Sequence, residues 1–130
     1  MPLIKALISP VTPFQQNAPI LFCEDTKKCA FVDPGGDLDI LLSSAKDNNL
    51  IPEKILLTHG HIDHAGGATE LASILSIEIE GPHKEDTFLL ESLESQGQMF
   101  GFQAQNCTPN RWLQDGDEVT IGNETLQVYF

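Results

Sequence analysis

Thr58-His59-Gly60-His61-Ile62-Asp63-His64-Ala65-Gly66-Gly67 gathers three of the chain's four histidines around one carboxylate. Neutral imidazoles and a carboxylate are the donor types that suit zinc, iron or manganese, so the stretch reads as a metal-binding loop. Along extended backbone, alternate side chains share a side. That groups His59, His61 and Asp63, and it sends His64 away unless the chain turns there. The pattern suits two neighbouring metal positions better than one, the first using His59 and His61 and the second Asp63 and His64. The plain alternative is a polar surface loop whose histidines do nothing.

Such a loop needs elements to carry it. Lys54-Ile55-Leu56-Leu57 is a short apolar run of the kind that forms a buried strand, and Ala68 to Leu75 is an Ala/Leu-rich helix. The cluster therefore sits between a strand and a helix, where a rigid scaffold presents functional groups. Upstream, Leu3 to Ser9 is apolar enough for a first strand, with Pro10-Val11-Thr12-Pro13 expected to interrupt it and Gln15-Gln16-Asn17 to form a loop. Pro19 to Cys23 and Lys28 to Val32 flank the polar Glu24-Asp25-Thr26-Lys27 as a hairpin. Val32-Asp33-Pro34-Gly35-Gly36 ends it in a tight turn, whose glycines can take positive φ. Asp33 reads there as a turn residue accepting backbone N–H groups, or as a group supporting the metal ligands from behind.

Asp37 or Asp39 is placed to cap a helix with the apolar stripe Ile40, Leu41, Ala45 and Leu50, which Asn48-Asn49 and Pro52 end. Downstream, Ile77-Glu78-Ile79 is a short strand stopped by Gly81-Pro82. His83, the fourth histidine, stands at the mouth of a helix from Lys84 to about Leu93, as an ordinary loop histidine. Residues 96–110 show little periodicity, with Met99, Phe100 and Phe102 expected to anchor a lid-like loop. Arg111-Trp112 reads as a packing pair, Asp115-Gly116-Asp117 as a turn, and Val119-Thr120-Ile121 with Leu126 to Phe130 as paired strands. Interleaved strands and helices without repeats point to an α/β (α+β) layered domain.

Composition narrows the function classes. The formal charge of −12 repels phosphate backbones, so nucleic acid is disfavoured as a partner. No window is long and apolar enough to cross a bilayer, and Met1 to Ser9 lacks the marks of a secretory signal. Cys23, Cys29 and Cys107 are odd in number and without CxxC spacing. They read as buried, reduced thiols, in keeping with a cytoplasmic protein.

Thr58 to Gly67 resembles the signature of the metallo-β-lactamase superfamily, and Val32-Asp33-Pro34-Gly35-Gly36 is similar to a second element of it. Gly81-Pro82-His83-Lys84-Glu85-Asp86 and Asn110-Arg111-Trp112-Leu113 resemble the glyoxalase II-like hydrolases, in particular their short bacterial type. This resemblance covers essentially the whole chain. It implies a four-layer αββα sandwich built from two similar halves and a centre of up to two metals, zinc with iron or manganese as alternatives. His59, His61, Asp63 and His64 are the implied ligand positions. The implied activity is hydrolysis of a small-molecule thioester such as S-lactoylglutathione, by attack of a metal-bound hydroxide that Asp63 orients. Related members imply β-lactamase, sulfur dioxygenase or lactonase activity as other outcomes.

In the resembled hydrolases, the strand at Phe130 leads into a Pro-Gly-His loop, a bridging aspartate and a final histidine, all beyond this chain. The expectation is a single domain over 1–130, incomplete at its C-terminus, that forms the N-terminal part of the sandwich. His83 is a remote substitute for the missing ligands. Two functional readings follow: a glyoxalase II-like hydrolase, or a catalytically inactive metal-binding fragment or association module. In the second reading, the exposed half-sandwich face would favour a homo-oligomer or another chain.

Overall fold

The computed structural model describes residues 4–11, 16–60, 62–101 and 104–128, with the backbone alone described for 4, 5, 7–11, 16, 17, 62, 63 and 100. Short apolar runs in the first part of the chain build a five-stranded sheet in the order β1-β2-β3-β4-β5. Its strands are β1 (Ile4–Val11), β2 (Gln16–Cys23), β3 (Lys28–Val32), β4 (Ile51–Leu56) and β5 (Glu78–Glu80). The first three run antiparallel, with Ile20 opposite Phe31 in the hairpin. From β3 onward the strands are parallel, pairing Val32 with Leu56 and Ile55 with Ile79. Parallel neighbours need crossovers. α1 (Leu38–Asp47) joins β3 to β4, and α3 (Ala68–Leu75) precedes β5.

The two faces of the sheet bury different layers. Ala18, Ile20, Cys29, Phe31, Ile55 and Leu57 face the helices, where they meet Leu41 and Ala45 of α1 and Leu71 of α3. Completely burying a side chain such as Phe31 or Leu71 stabilises by roughly 1.5–3 kcal/mol. Leu21, Cys23, Ala30, Val32 and Leu56 face the other way, onto a two-stranded sheet of β6 (Glu118–Ile121) and β7 (Glu124–Gln127). The described residues thus stack as helices, a mixed sheet and a second sheet, three layers of the four-layer arrangement expected from the sequence.

Charged groups join β4 to β5 and to the segment that precedes β6. Lys54 and Glu80 are both buried, with Lys54 Nζ 3.0 Å from Glu80 Oε2 and Arg111 Nη1 donating to Glu80 Oε1 at 3.1 Å. The residues before β6 cover the open edge of β5: Asn110 N donates to Ile79 O, and Gly81 N to Arg111 O. An extra residue in β4, Glu53, bulges between the pairs Cys29–Pro52 and Ala30–Lys54. Its carboxylate accepts from Gly122 N at 3.1 Å in the β6–β7 turn.

Several local expectations are corrected. β1 continues through Pro10 to Val11, and Gln16-Asn17 pair with them as the start of β2. Pro10 is tolerated because β1 lies at the edge of the sheet, where a missing N–H need not break a ladder. In the turn after β3, positive φ falls on Asp33 (51°) and Asp37 (49°) rather than on Gly35 or Gly36. Asp37 occupies the N-cap position of α1 without a side-chain cap bond. Ile40 is exposed, and Leu38 takes its place in the buried stripe.

The helix expected over 84–93 is a 3₁₀ turn at 84–86 and α4 (Thr87–Leu90), followed after a break by α5 (Leu93–Phe100). Met99 is 79% exposed and anchors nothing, and Phe102 lies outside the described residues. Arg111 is an ion-pair residue, while Trp112 packs against the helix-side core. Tyr129 and Phe130 lie outside the described residues.

All three cysteines are buried free thiols, as expected. Cys29 opposes Phe22 rather than Cys23, and the two thiols fall on opposite faces of the sheet. Burial pushes the Cys29 thiol up from 9.0 to about 12, with the Glu53 carboxylate adding to the effect. An unfolded thiol ionises near 9.0, whereas the folded one resists to about 12. Its contribution to stability is therefore complete below pH 9 and declines across that window, by about 1.4 kcal/mol per pH unit. Urea unfolding of the wild type and C29A at about pH 7 and about pH 10 checks this. The wild-type advantage should shrink at the higher pH, and a constant difference would contradict the assignment.

Candidate metal centre

The parallel pairing of β3 and β4 sets two chain ends side by side. Because Val32 lies opposite Leu56, the residues that follow, Asp33 and Leu57-Thr58-His59, emerge together at the carboxyl edge of the sheet. Asp33 N donates to Leu56 O at 2.9 Å, extending the ladder one step past the strand. Positive φ then swings Asp33 out of the strand path, a conformation that aspartate tolerates better than most residues. Its carboxylate is buried. Oδ1 accepts from Thr58 N at 2.8 Å, and Oδ2 from Thr58 Oγ1 at 2.6 Å.

The chain then turns, as the sequence pattern required if His64 was to join the others. α2 (Ile62–Ala65) is a single helical turn, and it brings the His64 ring to 4.0 Å from the His59 ring, centroid to centroid, at an interplanar angle of 48°. His64 Nδ1 lies 3.1 Å from Asp33 Oδ2. Asp33, His59 and His64 each offer a donor atom within 4.8 Å of the others, a grouping able to hold a metal ion. Two imidazoles and a carboxylate fit zinc, iron or manganese. Asp33 already accepts three hydrogen bonds that fix Thr58 and His64. Through these contacts it holds the His64 ring and the residue before His59 in place.

Further contacts hold the loop. Gly60 N donates to Asp86 Oδ2 at 2.9 Å, tying it to the turn after β5. Gly67 N donates to Pro34 O at 3.0 Å. A Cβ at Gly67 would lie 2.6 Å from that oxygen, so the loop closes on the Asp33 turn only with glycine there.

Of the expected ligand positions, His59 and His64 are brought together. His61 lies outside the described residues, and so does the side chain of Asp63, whose backbone belongs to α2. Asp33, which follows a strand parallel to the one delivering the histidines, accepts from Thr58 N and lies 3.1 Å from His64 Nδ1. His83 caps the 3₁₀ turn, its Nδ1 accepting from Glu85 N at 3.1 Å.

Comparison with known proteins agrees with this geometry. Residues 11–129 match the model of the metallo-beta-lactamase superfamily. Hydroxyacylglutathione hydrolase GloC of Haemophilus influenzae is 40% identical over 113 residues, covering 86% of this chain and 53% of that protein. Among solved structures, BLEG-1 B3 metallo-beta-lactamase superposes with a TM-score of 0.79 at 30% identity, over 95% of this chain and 59% of that one. TTHA1623, crystallised in a di-iron-bound form, gives 0.76 at 28% identity, over 87% and 56%. The chain belongs to the metallo-beta-lactamase superfamily, and in sequence it is glyoxalase II-like. It spans about half the length of the curated relatives it matches. Among the described residues, no helix is long and apolar enough to cross a membrane.

Replacing Asp33 by Ala removes the acceptor of both Thr58 hydrogen bonds in a buried place. Unfolding free energy should fall by about 1–3 kcal/mol, measured in urea without added metal. Wild-type stability in D33A would mean that the carboxylate does not hold the strand ends.

Proposed function

We propose that the chain carries the His59–His64 part of the metal centre of a glyoxalase II-like hydrolase whose substrate is a small-molecule thioester such as S-lactoylglutathione. The observation that carries this reading is the convergence of the two imidazoles, with Asp33 bonded behind His64. The sequence adds His61 and Asp63 as the other ligands, with His59 and His61 on one metal and Asp63 and His64 on the second. The similarity to GloC supports the thioester class, and that to a di-iron protein supports a two-metal centre that accepts iron. Zinc and manganese suit the same donors.

When bound, divalent metal lowers the pKa of water and polarises a carbonyl oxygen. The protein's part is to hold its donors still. Asp33 and the Gly60–Asp86 bond fix the loop before substrate arrives, and Asp63 orients the reacting water. In the overall reaction the water oxygen joins the acyl carbon, the carbon–sulfur bond breaks, and the products are a carboxylate and a thiol.

A second reading takes the donors on this chain by themselves. A catalytic zinc commonly has three protein ligands, and His59 with His61 supplies two. On this reading the 130-residue chain is a metal-binding module without turnover, or one completed by a second copy. Metal content per chain, measured with thioester hydrolysis and oligomeric state on one sample, separates the two. Close to two metals with metal-dependent hydrolysis supports the hydrolase, and a dimer in that sample supports shared ligands. One metal or none, and no hydrolysis in added zinc, iron or manganese, supports the module. His59→Ala and His64→Ala should each lower zinc retention at least tenfold if these rings are ligands.

A further inference from the structure

We propose that Thr58 is a positioning residue that sets the tautomer of His59 and so decides which ring nitrogen is available to a metal. The proposal rests on the reading of His59 as a ligand. Thr58 stands between two partners: its Oγ1 is 2.6 Å from Asp33 Oδ2 and 2.9 Å from His59 Nδ1. A hydroxyl has one proton to donate, and an ionised carboxylate can only accept. The short contact to Asp33 therefore takes the hydroxyl proton. At the other contact Oγ1 is left as the acceptor, so His59 Nδ1 must carry the hydrogen. The ring's lone pair then belongs to Nε2.

His64 reaches the same state by a shorter route. Its Nδ1 lies 3.1 Å from Asp33 Oδ2, and a carboxylate there demands Nδ1–H. One buried carboxylate thus sets both rings, His64 directly and His59 through the Thr58 hydroxyl. The relay is held in place by the backbone, since Thr58 N donates to Asp33 Oδ1 at 2.8 Å. A hydroxyl that turned away to donate to His59 would leave Asp33 for a weaker, uncharged acceptor.

The test is nitrogen-resolved NMR of the imidazoles in the metal-free full chain at about pH 8, where histidine is ordinarily neutral. The wild type should show His59 and His64 protonated at Nδ1 and bare at Nε2. Thr58→Ser keeps the hydroxyl and should keep this pattern. Thr58→Val keeps the shape without the hydroxyl, and should give a mixture of tautomers at His59 while His64 stays as it was. Zinc affinity, read by competition with a chelator, should fall 10–100-fold in T58V and recover in T58S. His59 protonated at Nε2 in the wild type, or unchanged in T58V, overturns the proposal, and the wild-type spectrum alone decides it if T58V does not fold. A tautomer change in T58V with no loss of zinc affinity supports the relay and overturns the reading of His59 as a ligand.

Discussion

A single buried carboxylate at the ends of two parallel strands is the constraint on which the rest of this molecule turns. Asp33 is where β3 stops being a strand. Its N–H still belongs to the ladder, bonding Leu56 O, while its side chain reaches Thr58, the first polar residue after β4. Parallel pairing makes this inevitable once Val32 and Leu56 share a register. Two strands buried on both faces and emerging side by side leave their next residues nowhere to go but toward each other. In open sheets of this kind, ligand sites form in the crevice beyond the carboxyl ends of the strands.

The other layers serve that edge by fixing the strands that feed it. β4 is held through its helix-side residues Ile55 and Leu57 and, on the opposite face, through Leu56 and the buried Lys54. Lys54 would be costly to bury alone. Glu80 on the neighbouring strand meets it and also receives Arg111, so two cations share the carboxylate of one buried residue. A buried pair of this type adds little net stability against an apolar alternative, but breaking it strands a charge. Its value here is positional. Glu80 lies opposite Leu56, so the ionic contacts fix the alignment of β5 against the strand that delivers the histidines.

What the sequence revealed was chemistry and periodicity; what it concealed was backbone direction. The donor types at 59–64 and the apolar run from Lys28 to Val32 are properties of residue identity, and the run is the strand β3. The turn after β3 could not be read the same way. Gly35 and Gly36 advertise positive φ, yet Asp33 and Asp37 adopt it, because Asp33 must leave the strand path to meet Thr58. Four residues of helix at 62–65 are too few to show a period, so the turn that carries His64 to His59 was legible only as a condition for their meeting. Pro10 misled for a different reason: its effect depends on whether the strand is an edge, which is a property of the finished sheet. Met99 misled because an apolar type does not by itself require burial.

Several contacts that hold the loop of the His59–His64 pair come from nearby stretches of chain. Asp33 holds Thr58 and His64, Pro34 O receives Gly67 N, and Asp86 receives Gly60 N. Leu89 and Leu90 close on Gly60 from the side, leaving its missing Cβ only 3.0 Å from the nearest atom. Every one of these groups lies between residues 33 and 90. Backbone hydrogen bonds and one carboxylate thus help to set the geometry of the two imidazoles. Donors held this way lose little freedom when a cation arrives, which is the condition for useful affinity with few ligands.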